Sequence, residues 1–184
     1  IDMSGSFDSH IATMVAGISP LLNDPITSNF RFALAVFGTS DMGPGRSEHR
    51  YSHLVTDFVP SVDYLDYLTS VNQIRGGGIE PSLDVLLWIM DGTYDLAWSP
   101  NAQRVIILMT DEISQSVTMP PTTQSMVRAE SLNGGYSIFV FVPTDFQSSF
   151  AEVVNEDPDR LFTPSMDANT VFTQIRSIFD GLCI

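Results

Sequence analysis

Apolar residues recur along this chain with two alternating periods. Ile11, Met14, Val15, Ile18 and Leu22 share one face at helical spacing and predict a helix over 7–22. Pro25, set among Asn, Asp, Thr and Ser, marks a loop. The run at 30–37 is almost continuously apolar, the pattern of a strand buried on both faces. A Gly-, Ser- and Asp-rich loop over 38–50 is too short and polar for a crossover helix. The strand after it, 51–58, is therefore expected to be antiparallel and at an edge. A helix over 62–73 follows, with Leu65, Leu68 and Val71 on its apolar side. After Gly76-Gly77-Gly78, Pro81 suits the first turn of a third helix, whose face is Leu83, Leu86, Leu87 and Met90 and whose end is Asp91-Gly92.

Five consecutive apolar residues at 105–109 predict a central parallel strand running into Thr110-Asp111-Glu112. A helix over 123–132 ends at Asn133-Gly134-Gly135, a strong stop signal. Then come a buried strand over 136–142, a short helix over 146–154 and a short strand over 160–163. The closing helix, 168–182, carries Val171, Phe172, Ile175, Ile178, Phe179 and Leu182 at helical spacing, a core stripe. Strands alternating with helices predict an α/β domain, mostly parallel, with one antiparallel edge strand and helices on both faces. In such sheets ligands gather at the carboxyl ends of strands.

Composition narrows the function classes. With 184 residues, 43% of them hydrophobic and 16% charged, the chain suits a single globular domain over 1–184. It opens at Ile1 on what reads as the last residues of a strand. The expectation is a truncated first strand and a longer parent protein. No apolar run approaches membrane-spanning length, and no signal peptide is read. The net charge is −14 and all eight basic residues are Arg, so neither nucleic acid nor an anionic membrane meets a basic surface. The absence of Lys also removes a P-loop lysine and a Schiff-base lysine. The one cysteine, Cys183, allows no internal disulfide. It reads either as a small apolar residue closing the last helix or as half of a bridge to a cysteine upstream of Ile1.

Three stretches carry candidate chemistry. Asp2-Met3-Ser4-Gly5-Ser6 places three oxygen side chains at alternate positions where a strand end gives way to a helix. Thr110-Asp111 sits at another strand end, and Gly78-Ile79-Glu80 enters a helix on the same expected rim. Together they offer Asp2, Ser4, Ser6, Glu80 and Asp111, hard oxygen ligands suited to Mg²⁺, Mn²⁺ or Ca²⁺ rather than Zn²⁺ or copper. Read alone, Asp2 to Ser6 is a polar turn, and Glu80 an acid favoured near a helix N-terminus.

As a set, these motifs resemble the von Willebrand factor A domain with its metal-ion-dependent adhesion site. Asp-x-Ser-x-Ser is matched by DMSGS at Asp2 to Ser6, and the Asp after a central apolar strand by ILMTDE at Ile107 to Glu112. The element order agrees along the whole chain except the first strand. Where many members place Thr, Gly-Gly-Gly-Ile-Glu-Pro-Ser-Leu-Asp resembles the integrin β-subunit version, which assigns the second-loop ligand to Glu80, with Leu83-Asp84 at the matching spacing. The additional metal sites of those subunits are not implied. Their acidic pair after the first motif is here Ser9-His10, and their Asn and Asp before the Glu are Arg75 and Gly77.

The resemblance implies a Rossmann-like, doubly wound sheet and a divalent cation, Mg²⁺ foremost with Ca²⁺ or Mn²⁺ as alternatives. It implies a protein partner presenting an Asp or Glu carboxylate, an extracellular or cell-surface setting, no enzymatic activity, and a last helix that can slide when a partner binds. Glu80 in place of Thr adds negative charge, so cation binding is expected to be more avid and the gain from a partner carboxylate smaller. The rival function is a structural or assembly domain of a larger complex or filament, its metal vestigial or only stabilising. A metal-dependent hydrolase is a third reading, with Glu112 as the only nearby base. A phosphoryl-transfer enzyme lacks its second Asp at Ser4, GxGxxG and GxSxG are missing, and His10, His49 and His53 read as surface or helix residues.

Overall fold

The computed structural model describes residues 1–38, 51–71 and 79–182. The polar loop expected to 50, the end of the second helix at 72–73, the glycine run at 76–78 and Cys183 lie outside the described residues. In chain order the elements are α1 (Asp8–Leu22), β1 (Arg31–Phe37), β2 (Ser52–Pro60), α2 (Ser61–Ser70), α3 (Ser82–Met90), β3 (Arg104–Met109), α4 (Gln124–Gly134), β4 (Tyr136–Phe141), β5 (Leu161–Phe162) and α5 (Ala168–Leu182).

The stop signals act where the sequence places them. Gly135 takes the left-handed conformation (φ +67°) at the end of α4, a backbone that costs a glycine little. Thr123 caps the start of α4 by accepting from the Met126 N–H. The Asp167 carboxylate does the same for α5 through the Thr170 N–H and hydroxyl, at 3.0 and 2.8 Å.

One expected helix is different. Residues 144–150 form a 3₁₀ helix followed by turns, not an α-helix over 146–154. Pro143 precedes it, and the Ser149 hydroxyl bonds back to the Phe146 carbonyl at 2.8 Å, a local bond that competes with α-helical pairing. Asn155 and Glu156, both at φ +60°, then turn the chain.

Strand pairing falls into an antiparallel pair, β1–β2, and a parallel set in the order β3–β4–β5. This is a mixed α/β arrangement with the expected antiparallel β2, but not one uninterrupted parallel sheet. Among the described residues, Ile1 to Met3 links the two parts by main-chain bonds. The Ile1 amino group donates to the Ala35 carbonyl at 2.9 Å. Phe37 N–H donates to Ile1 O at 3.1 Å, Met3 N–H to Phe37 O at 2.8 Å, and Asp2 N–H to Met109 O at 2.9 Å. Asp2 thus lies between β1 and β3, parallel to β1.

Alternation along the strands divides the core in two. Leu34 and Val36 of β1, Met109 of β3 and Phe141 of β4 pack with α1, α2 and α5 residues. Phe37, Ile106, Leu108, Ile138 and Val140 pack with Leu83, Leu86 and Trp88 of α3 and Val127 of α4. β1, β3 and β4 each contribute to both clusters, which is why 30–37 and 105–109 read as continuous apolar runs.

Helices α1 and α5 cross closely at Gly17, where a Cβ would stand 2.7 Å from the Val171 side chain and 2.8 Å from Ala168 O. Alanine favours helix interiors, but here it has no space. Gly17→Ala is expected to destabilise by about 1–3 kcal/mol in urea unfolding, with partial recovery in a Gly17→Ala/Val171→Ala double variant. An unchanged midpoint would mean that the helices separate without cost.

Candidate metal centre

The site is built by three segments that the strands bring to one rim. Asp2 leaves the pairing between β1 and β3 and is fully buried. The chain then turns at once: the Ser4 N–H folds back on Asp2 Oδ1 at 2.8 Å, and the Phe7 N–H bonds Ser4 O at 3.1 Å before α1 begins. This tight turn places the Ser4 and Ser6 hydroxyls 2.9 Å apart. Ser6 reaches across to Asp111 Oδ1 at 3.1 Å, at the end of β3. Glu80 comes from the segment entering α3 and is 5% exposed.

All five residues expected at the site are therefore brought together. Carboxylate oxygens of Asp2, Glu80 and Asp111 lie within 4.8 Å of one another. The donor set is oxygen only, the set that hard divalent cations take. Glu80 Oε2 is buried without a hydrogen-bond partner, and a buried carboxylate oxygen is rarely left so unless something else satisfies it. An ion held here by Asp2, Ser4, Ser6, Glu80 and Asp111 would satisfy it, so the residues fit a divalent cation.

Electrostatics describe the same crowding. Burial, then the Asp2 charge, pushes the Glu80 carboxyl up from 4.5 to about 8. Glu112 and Asp111 add to the rise, and the Ser4 hydroxyl opposes it. Asp111 is raised for the same reasons, burial first and the Asp2 charge second, against the hydrogen bond from Ser6.

Three further residues shape the site. The Thr110 hydroxyl donates to Asp2 Oδ2 at 2.7 Å and accepts from the Glu112 N–H at 3.2 Å, which orients Asp2 and the turn after β3 together. Gly38 follows β1 at φ +70°, and a Cβ there would lie 2.7 Å from Asp2 Oδ1 and 3.0 Å from Ser4 N, so any larger residue displaces the first loop. Asp84 is fully buried one turn into α3. It accepts from the Ser116 hydroxyl and the Val117 N–H, each at 2.7 Å, and from the Thr118 hydroxyl at 3.0 Å. The Asp111-to-Thr122 loop is thereby tied to the helix that Glu80 enters. A carboxylate within the apolar run Leu83-Asp84-Val85-Leu86 was the sequence signal for this role. Gly38 gave no signal apart from ending an apolar strand.

Of the histidines, His10 is half-buried and stacks on Phe7 at 5.1 Å, and His53 sits on β2, where burial lowers its pKa. His49 lies outside the described residues.

No family model matches the chain, and no curated protein sequence matches it. Solved structures do. Proximal thread matrix protein 1 from the mussel byssus aligns over 100% of this chain and 46% of its own, in two crystal structures with TM-scores of 0.70 and 0.72 at 15% identity. The pilus adhesin SpaC from Lactobacillus rhamnosus GG, in an open conformation, aligns over 98% of this chain and 29% of its own, with a TM-score of 0.71 at 13% identity. The chain thus spans less than half the length of these proteins, and at such identities the likeness is one of fold.

Glu80 and Asp111 hold protons more tightly when folded than when unfolded, so the folded state binds more protons over the interval from about 4.5 upward. Stability of the metal-free protein therefore falls as pH rises toward about 8, the folded value of Glu80. Melting in EDTA across pH 5 to pH 8, on the order of half-unit steps, should show this fall, and Glu80→Gln should flatten it. A melting temperature that rises over the interval in EDTA would contradict the assignment of these two groups.

Proposed function

We propose that the chain is a von Willebrand factor A-like module that binds a divalent cation, Mg²⁺ foremost, and through it an acidic side chain of a partner protein. The supporting observation is the meeting of three carboxylates and two serine hydroxyls at one rim, with Glu80 Oε2 buried and unpartnered. On this reading Ile1 to Met3 is the end of the central strand of a doubly wound, Rossmann-like sheet, and Asp2, Ser4, Ser6, Glu80 and Asp111 are the ligands.

The ion would supply a Lewis-acidic point of attachment for a carboxylate. The protein's own residues prepare it. Thr110 and the Ser4 N–H orient Asp2, Ser6 aligns Asp111, and the Asp84 tether fixes the loop after β3 relative to Glu80. Three acids neutralise a dication more fully than two, which favours the ion and leaves less attraction for a partner's carboxylate. The module is non-enzymatic on this reading, extracellular or at a cell surface, and part of a larger protein. Net charge −14 disfavours nucleic acid as a partner. No helix among the described residues is long and apolar enough to cross a membrane.

The second reading is a structural or assembly domain, favoured by the fold shared with a byssus thread matrix protein. The two separate by what metal removal does. Calorimetric titration of metal-stripped protein with Mg²⁺, Mn²⁺ and Ca²⁺ should give one saturable site. Glu80→Thr should weaken it by about tenfold or more, equivalent to about 1.4 kcal/mol, and Asp111→Ala should abolish it without unfolding the chain. Folded wild-type protein that takes up no ion would sink the adhesion reading. Loss of melting temperature in EDTA with partner binding retained would favour the assembly role.

A further inference from the structure

Exposed apolar side chains scattered singly over a surface need no explanation. Here they gather beside the oxygen cluster. Ile79 directly precedes Glu80, Ile113 follows Asp111 by two positions, and Val117 and Met119 sit farther along the same loop, all four exposed and Met119 by 93%. The two segments run side by side. Leu83 N–H donates to Gln115 O at 3.0 Å and Val117 N–H to Asp84 Oδ2 at 2.7 Å, so residues 115–117 lie along the first turn of α3, which Glu80 enters. The loop that displays Met119 is also preorganised. Thr118 Oγ1 stands 3.1 Å from Ser116 Oγ and 3.2 Å from Thr122 Oγ1, and Pro120 and Pro121 fix their own φ.

The rest of the rim is polar and acidic. On the α1 side the exposed residues are Gly5, Ser6, Asp8 and Ser9. Glu112, half-buried, directly follows Asp111. Past β4, Asp145 is exposed on the 144–150 segment, which the Ser114 N–H joins to the Asp111 loop through Ser149 Oγ at 3.0 Å. Among the described residues none of Asp8, Glu112 and Asp145 is paired with an arginine. The rim thus has one apolar sector, on the Glu80 side, and an acidic remainder.

We propose that this sector selects the partner: the carboxylate offered to the cation belongs to a single Asp or Glu with a Leu, Ile, Val, Met or Phe directly beside it, in a segment without further acids. The proposal rests on the cation-binding reading above and adds what surrounds the partner's acid. Two constraints carry it. Three acids at the ion leave reduced attraction for one more carboxylate, so a partner needs a second contribution to its affinity. The apolar sector adjoins Glu80 and supplies that contribution when its side chains leave water. The acidic remainder of the rim, in a chain of net charge −14, repels a second carboxylate. That repulsion reaches over a Debye length of ~8 Å, which at about 3.3 Å per residue covers about two residues on either side of the bound acid.

Immobilised short peptides test it. Each carries a central Asp or Glu among glycines, with one neighbour of the acid kept as Gly or changed to Leu or Asp, and is offered the protein in Mg²⁺ and in EDTA. In Mg²⁺ the Leu peptides should bind about tenfold more tightly than the all-glycine ones, and the Asp-flanked peptides most weakly. Ile79→Ser/Ile113→Ser/Met119→Ser should bring the Leu peptides down to the glycine level, while calorimetric Mg²⁺ uptake, which reports that the variant is folded, stays within about twofold of wild type. Equal binding of Leu and Gly peptides, or none, by protein that takes up Mg²⁺ would overturn the apolar sector and leave the cation reading standing. So would a Leu preference that survives in the triple variant, or Leu-peptide binding that persists in EDTA and so assigns the sector to a cation-independent contact. Protein that takes up no Mg²⁺ overturns both.

Discussion

Four main-chain hydrogen bonds hold Ile1 to Met3 between β1 and β3, and everything at the rim follows from them. They set the height of Asp2 relative to the end of β3, and hence its distance from Thr110 and Asp111. They also bring Gly38, directly after β1, against Asp2 and Ser4. The turn into α1 starts from the same anchored residues, so the helix on one face and the oxygen cluster at the rim share one origin. A main-chain ladder suits this task because its geometry varies less than that of side-chain contacts.

Much of this was legible in the sequence because the signals were of the kind that packing does not override. Glycine at 135 and Asp91-Gly92 stop helices whatever surrounds them. The runs at 30–37 and 105–109 are apolar on consecutive positions because each strand serves two cores. The convergence of the five expected residues was legible because strand-end loops carry few constraints besides chemistry, so an alternating Asp-x-Ser-x-Ser stands out. The 144–150 segment was not, because the Phe146–Phe150 spacing is that of an α-helix, and the local bond from the Ser149 hydroxyl to the Phe146 carbonyl leaves no trace in that pattern. Gly38 was missed because its requirement comes from an atom of Asp2, thirty-six positions away, which no local pattern reports.

Asp84 shows how the two later loops come to act as one. Its two carboxylate oxygens accept from three donors in the loop that follows Asp111. The Ser82 hydroxyl accepts from the Gln115 N–H at 3.2 Å, and the Leu83 N–H donates to Gln115 O at 3.0 Å, extending the same seam. Glu80 and Asp111 are thus attached to opposite ends of one hydrogen-bonded unit. A buried carboxylate so fully paired specifies geometry more than it adds stability.

The balance of charge is the remaining constraint. Three carboxylates, two of them buried and Asp111 half-buried, meet in a chain that carries net charge −14 and has no lysine. Among the described residues the arginine ion pairs lie elsewhere: Arg128 with Glu156, Arg160 with Asp157, and Arg176 with Asp24 and Asp180. Mutual repulsion among the acids must therefore be relieved by protons or by a cation from solution. Protons relieve it at Glu80 up to about pH 8, and a dication that displaces them does so with the oxygen ligands already converged. The strain of bringing like charges together is present before any ion arrives. On the proposed reading, the difference between these two ways of relieving it would set how avidly such a rim takes up a cation, and the number of acids how much attraction would be left for a partner's carboxylate.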